Sequence, residues 1–138
     1  MESNKNARAI VEEMMQHDAF SKWLGIEILS VEAGKCALRM TIRPEMLNGF
    51  GIAHGGITYA LADSALAFAS NSMGRKAVSV ETSISHTKAL HDGNTLTATA
   101  EEEHLGDKIG IYRVMVRLDS GETVAVFKGV VYRTGKIW

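Results

Sequence analysis

The sequence predicts an α+β fold in which a curved antiparallel β-sheet wraps around one long central helix. Three observations carry this expectation. Residues 57–73 form a run of small and apolar residues that is apolar nearly all round a helix, the alternation switches to period two after Gly74, and the strand-like segments that follow are separated by short turns. A helix without a polar stripe has to be covered by other structure. Consecutive strands joined by tight turns pair antiparallel, and a twisted sheet offers the concave face such a helix needs.

Each element follows from local pattern. Between Asn6 and Trp23, the residues Ile10, Val11, Met14, Met15, Phe20 and Trp23 recur at roughly helical spacing, which predicts one amphipathic helical segment within residues 1–23. Ile26, Ile28 and Val31, then Cys36, Leu38, Met40 and Ile42, alternate on either side of Ala33-Gly34-Lys35 and predict a hairpin. Residues 44–56 hold the only proline and Gly49, Gly51, Gly55 and Gly56, so a loop feeds the central helix, expected over 54–73. Val78, Val80, Thr82 and Ile84 alternate with polar or small neighbours as a strand. Turn residues His91-Asp92-Gly93-Asn94 follow, then three strand-like runs at 95–105, 111–119 and 122–133, split at Gly106-Asp107 and Ser120-Gly121. The expectation is four consecutive strands joined by short turns.

A chain of 138 residues fits one domain over 1–138. Lys plus Arg total 15 against 16 Asp plus Glu, so no global charge argues for a nucleic-acid partner. Cys36 is the only cysteine, which excludes an intrachain disulfide framework and a multi-cysteine zinc site and fits a reducing compartment. The N-terminus carries neither a signal-peptide apolar region nor an acid-poor leader, and the apolar run 57–69 is broken by Asp63 and too short to span a bilayer. The expected setting is cytoplasmic, away from membranes.

The chemistry concentrates between Asn48 and Asp63. Gly55 and Gly56 stand at the start of the central helix, where the first N–H groups have no intrahelical acceptor and sit at the positive end of the dipole. Such bare amides polarise a carbonyl oxygen. Taken alone, the glycine pair reads more readily as a flexible helix start. Asp63 adds weight: a lone carboxylate among Ala62, Ala65 and Leu66 has no comfortable polar surroundings, and its plain alternative is a satisfied buried hydrogen bond or an interface contact. Two turns of helix put Gly56 and Asp63 on one face but roughly 10 Å apart along the axis. Both reach one carbonyl carbon if two antiparallel copies of the helix meet, which predicts a two-fold dimer with shared sites.

Other motifs are weaker. Gly49-x-Gly51-x-x-His54 lacks the third glycine of a dinucleotide fingerprint, and there is no Walker A sequence or G-x-S-x-G elbow. His86, His91 and His104 lack metal-ligand spacing and read as surface or strand-edge residues.

From Asn48 onward the sequence resembles the hotdog-fold acyl-CoA thioesterases of the phenylacetate-degradation (PaaI-like) family, through Leu47-Asn48-Gly49, His54-Gly55-Gly56, Ala62-Asp63 and the turn Gly93-Asn94-Thr95-Leu96. The resemblance implies hydrolysis of an acyl-CoA, assembly as dimers and commonly tetramers, and no cofactor beyond the coenzyme A of the substrate. It implies that Asp63 activates the hydrolytic water or attacks directly, and that the Gly55 N–H polarises the thioester carbonyl. It further implies that Asn48 and His54 help hold carbonyl or water from across the dimer, and that Ser79 assists the water. Where the family's turn often reads Arg-Pro, Lys88-Ala89 stands here; Lys88 is the expected coenzyme A contact. Gly56, Phe50 and Tyr59 are expected at the substrate, with Met46 and Phe68 as pocket or core residues. Two other functions fit the same fold: an enoyl-CoA hydratase or dehydratase, and a non-catalytic acyl-CoA sensor.

Overall fold

The computed structural model describes residues 5–138. Their elements run α1 (Ala7–Gln16), α2 (Ala19–Leu24), β1 (Glu27–Glu32), β2 (Lys35–Thr41), α3 (Gly55–Asn71), β3 (Arg75–His86), β4 (Thr95–Leu105), β5 (Ile109–Leu118) and β6 (Thr123–Ile137), with one turn of 3-10 helix at Pro44–Met46. The strands form a six-stranded sheet in the order β1-β2-β4-β5-β6-β3, every pairing antiparallel.

The N-terminal segment is two helices rather than one; its residues 1–4 lie outside the described residues. Asp18 ends the first run: its carboxylate accepts from Ser21 N–H at 2.9 Å and from Ser21 Oγ at 2.7 Å, which starts α2 as a new helix. A second correction concerns β3. The 87–94 connection is no hairpin turn, because β3 crosses to the far edge and pairs with β6 while β4 pairs with β2. The meander expected of four consecutive strands holds only for β4, β5 and β6.

The concave face carries the core. Leu38, Met40, Leu96, Ala98, Ala100, Tyr112, Val114, Val116 and Phe127 are fully buried against Leu61, Ala62, Ala65, Leu66, Phe68 and Ala69 of α3. Small residues let helix and sheet approach, most closely at Gly129, where a Cβ would lie 2.4 Å from a Leu66 methyl. Polar groups at the helix end are satisfied. Asn71 donates to the Ala67 and Ala77 carbonyls and accepts from Ala77 N–H and the Trp138 indole. Cys36 is buried, donates from Sγ to the Ala65 carbonyl at 3.3 Å, and has its thiol pushed up to about 12 by desolvation. No helix among the described residues is long and apolar enough to cross a membrane.

Candidate active site

Gly55 opens α3 directly after a loop that hydrogen bonds to itself. Asn48 Oδ1 accepts from Phe50 N–H at 2.9 Å and Ile52 N–H at 3.4 Å, and Asn48 N–H donates to the Ile52 carbonyl. The Asn48 carboxamide therefore uses its oxygen within the loop and leaves its Nδ2 donors without a partner among the described residues. Ala53 and His54 are pinned by bonds from their N–H groups to Leu90 and Met46 carbonyls. His54 is the residue flanking the helix start, but its exposed side chain makes no capping bond, so the Gly55 amide end is not covered by it.

A cleft of about 450 Å³ opens at this end, lined by Asn48, Gly55, Thr58, His86, Lys88 and Leu90 among others. Three of the expected residues, Asn48, Gly55 and Lys88, meet here. Lys88 Nζ lies 2.7 Å from a Glu122 carboxylate oxygen, so its charge is already partnered at the surface. His86, read from sequence as a strand-edge surface residue, is exposed as expected and also lines this cleft.

Asp63 lies two turns further along α3 in separate depressions. One of about 420 Å³ is shared with Asp18, Phe20, Gly56, Tyr59 and Ser64; another of about 430 Å³ is shared with Lys76, Ser79, Asn71 and Trp138. Gly56 and Tyr59 line one of the Asp63 depressions and Ser79 the other, and none of the three lines the Gly55 cleft. Among the described residues nothing hydrogen-bonds the Asp63 carboxylate, and its pKa is raised by burial first and by the nearby Asp18 charge second. Ser64 beside it is tied to α2 by a 2.8 Å bond to Ser21 Oγ. The Tyr59 hydroxyl bonds Thr82 Oγ1, and its ring packs edge-on against Phe127 at 5.5 Å.

Two expected substrate contacts differ. Phe50 is 90% exposed at the loop tip and lines none of these clefts, while Met46 and Phe68 are core residues. Phe20, which sequence periodicity assigns only to a packing helix, stands at the Asp63 depression. No group of three or more His, Cys, Asp or Glu suited to a metal occurs among the described residues.

A central helix wrapped by an antiparallel sheet is the hotdog arrangement, and the family model for the thioesterase superfamily matches residues 50–125, which makes this a thioesterase of the hotdog fold. The chain is 40% identical over 122 residues to the acyl-coenzyme A thioesterase PaaI of Escherichia coli, covering 88% of this chain and 87% of that protein. The structure of the E. coli PaaI protein from the phenylacetic acid degradation operon superposes with a TM-score of 0.93 over 95% of both chains at 38% identity. A Streptococcus mutans protein solved with acetyl CoA bound matches with a TM-score of 0.79 and 28% identity, over 82% of this chain and 91% of that one. The 1,4-dihydroxy-2-naphthoyl-CoA hydrolase of Listeria monocytogenes is 30% identical over 96 residues, 67% of this chain and 77% of that protein. The chain belongs to the thioesterase superfamily, on its PaaI-like acyl-CoA thioesterase branch.

Proposed function

We propose that this thioesterase hydrolyses an aryl-acyl-CoA of the phenylacetyl or hydroxyphenylacetyl type, or a medium-chain acyl-CoA, to the free acid and coenzyme A. The acyl-CoA-named relatives support the substrate class, and the aromatic acyl group in the Listeria relative's name together with Tyr59 and Phe20 beside Asp63 favours an aryl group. The Gly55 N–H donates to the thioester oxygen. Asp63 takes the proton of the attacking water, or attacks the carbonyl itself, and its raised proton affinity makes it a better base than an ordinary carboxylate. Asn48 and His54 hold carbonyl or water, Ser79 steadies the water, and Lys88 faces the coenzyme A phosphates.

The observation that carries this reading is the separation of Gly55 and Asp63 into different clefts of one chain. Two antiparallel copies of α3 bring the glycine end of one to the aspartate of the other, giving a homodimer with two shared sites and, by pairing of dimers, a homotetramer. The free edge of β3 is the surface on which the copies meet.

The test is thiol release from a panel of aryl- and alkyl-acyl-CoA esters by wild type and Asp63→Asn. Loss of a positioned base lowers kcat by about 10²–10⁴-fold. Turnover like wild type in the variant removes Asp63 from the mechanism, and a wild type that binds the esters without releasing thiol turns the reading to an acyl-CoA sensor.

A further inference from the structure

His86 is the last residue of β3, and its imidazole rests on the first residue of α3. A Cβ built on Gly55 would lie 3.2 Å from His86 Nε2, 3.6 Å from Cε1 and 3.9 Å from Cδ2, so the ring presents its Nε2 edge to the glycine. The missing side chain at Gly55 is what admits the ring this close. The same ring lines the cleft into which the Gly55 amide opens, together with Asn48 and Lys88. Among the described residues neither ring nitrogen has a hydrogen-bonding or ionic partner, and the exposed ring is not a core-packing group. Lys88, the other cation-forming group of the cleft, is held by Glu122. His86 is therefore an uncommitted donor packed against the glycine end of the helix, in the same cleft as the Asn48 carboxamide.

We propose that His86 is a second oxyanion donor, its Nε2–H bonding the same thioester oxygen that the Gly55 N–H polarises. This rests on the hydrolase reading above and assigns the proton to Nε2. When the water oxygen bonds to the carbonyl carbon, the C=O π pair moves onto oxygen, where both N–H groups meet the negative charge. Asp63 takes the water proton. Collapse re-forms the C=O, breaks the C–S bond with its electron pair leaving on sulfur, and the thiolate takes the proton from Asp63. His86 gains and loses no proton, so a neutral imidazole is sufficient.

Three variants test the assignment. His86→Phe keeps a ring against Gly55 without a donor, His86→Gln restores a neutral donor, and Asp63→Asn is the control that leaves the donors in place. Loss of one oxyanion donor predicts a fall in kcat of about 10²–10³-fold for His86→Phe with KM little changed, partly recovered in His86→Gln. The carbonyl stretch of a bound ketone analogue, with CH2 replacing the thioester sulfur, reads polarisation without turnover. It is expected to lie lower in wild type and Asp63→Asn than in His86→Phe. A His86→Phe kcat within about three-fold of wild type, a loss confined to KM, or an unchanged carbonyl stretch overturns the assignment. A wild type that releases no thiol overturns the hydrolase reading with it, whereas an active wild type matched by His86→Phe overturns His86 alone.

Discussion

Asp63 stands in a half-buried site with no hydrogen-bonding partner among the described residues, and burial first and the Asp18 charge second favour its protonated form. The native state therefore binds a proton at Asp63 more readily than the unfolded chain does. Over the window from the ordinary aspartate value of about 3.9 up to the raised native value, stability falls as pH rises. Asp63→Asn is accordingly expected to unfold at higher denaturant than wild type at neutral pH, with the difference vanishing as pH drops below the ordinary aspartate range. Denaturant midpoints of both proteins across that range check this, and a variant less stable than wild type at neutral pH contradicts it. The acid limb of the wild-type kcat/KM profile is expected above the ordinary carboxylate range for the same reason. Asp63 was legible in the sequence because a single acid interrupts an otherwise apolar helical run. His86 was not: period-two alternation says that it lies on a strand, but the cleft it faces depends on where that strand docks beside α3.

The packing of α3 on β6 turns on one vacancy. Leu66 fills the space over Gly129, where a Cβ would lie 2.4 Å from Cδ2, 2.9 Å from Cδ1 and 3.1 Å from Cγ, and Leu66 is itself buried in the core. Gly129→Ala is expected to destabilise the fold by about 1–3 kcal/mol through overpacking. Equilibrium denaturation measures this, and an unchanged midpoint would show that helix and sheet separate freely. The existence of α3, the β1–β2 hairpin and β4 could be read from periodicity and turn residues, which are local signals. The break at Asp18 is also a local signal, an Asp capping the amide three residues on, which apolar periodicity alone passes over. The passage of β3 to the far edge could not be read, because partner choice among strands is decided by burial across the whole sheet.

At the scale of the whole molecule, β3 is a twelve-residue edge strand with Val78 57% and Val80 59% exposed, an apolar and unpaired edge that soluble proteins rarely leave open. In the proposed dimer a second copy covers this edge and brings together the Gly55 and Asp63 clefts that lie apart in one chain. The double variant Val78→Lys, Val80→Lys is expected to sediment as a monomer and to lose thioester hydrolysis together with assembly. A monomer that retains wild-type turnover would place the whole reaction within one chain. The separation of Gly55 from Asp63 was legible from spacing along one helix; that β3 forms an edge of the sheet emerged only with the strand order. The sealed position of Cys36 has a further use. With its thiol buried and pushed up to about 12, it is silent to thiol-reactive dyes while the core stays closed. The dye that counts released coenzyme A therefore sees no protein background, and in substrate-free solution the same colour becomes a clock for core opening, one signal per chain.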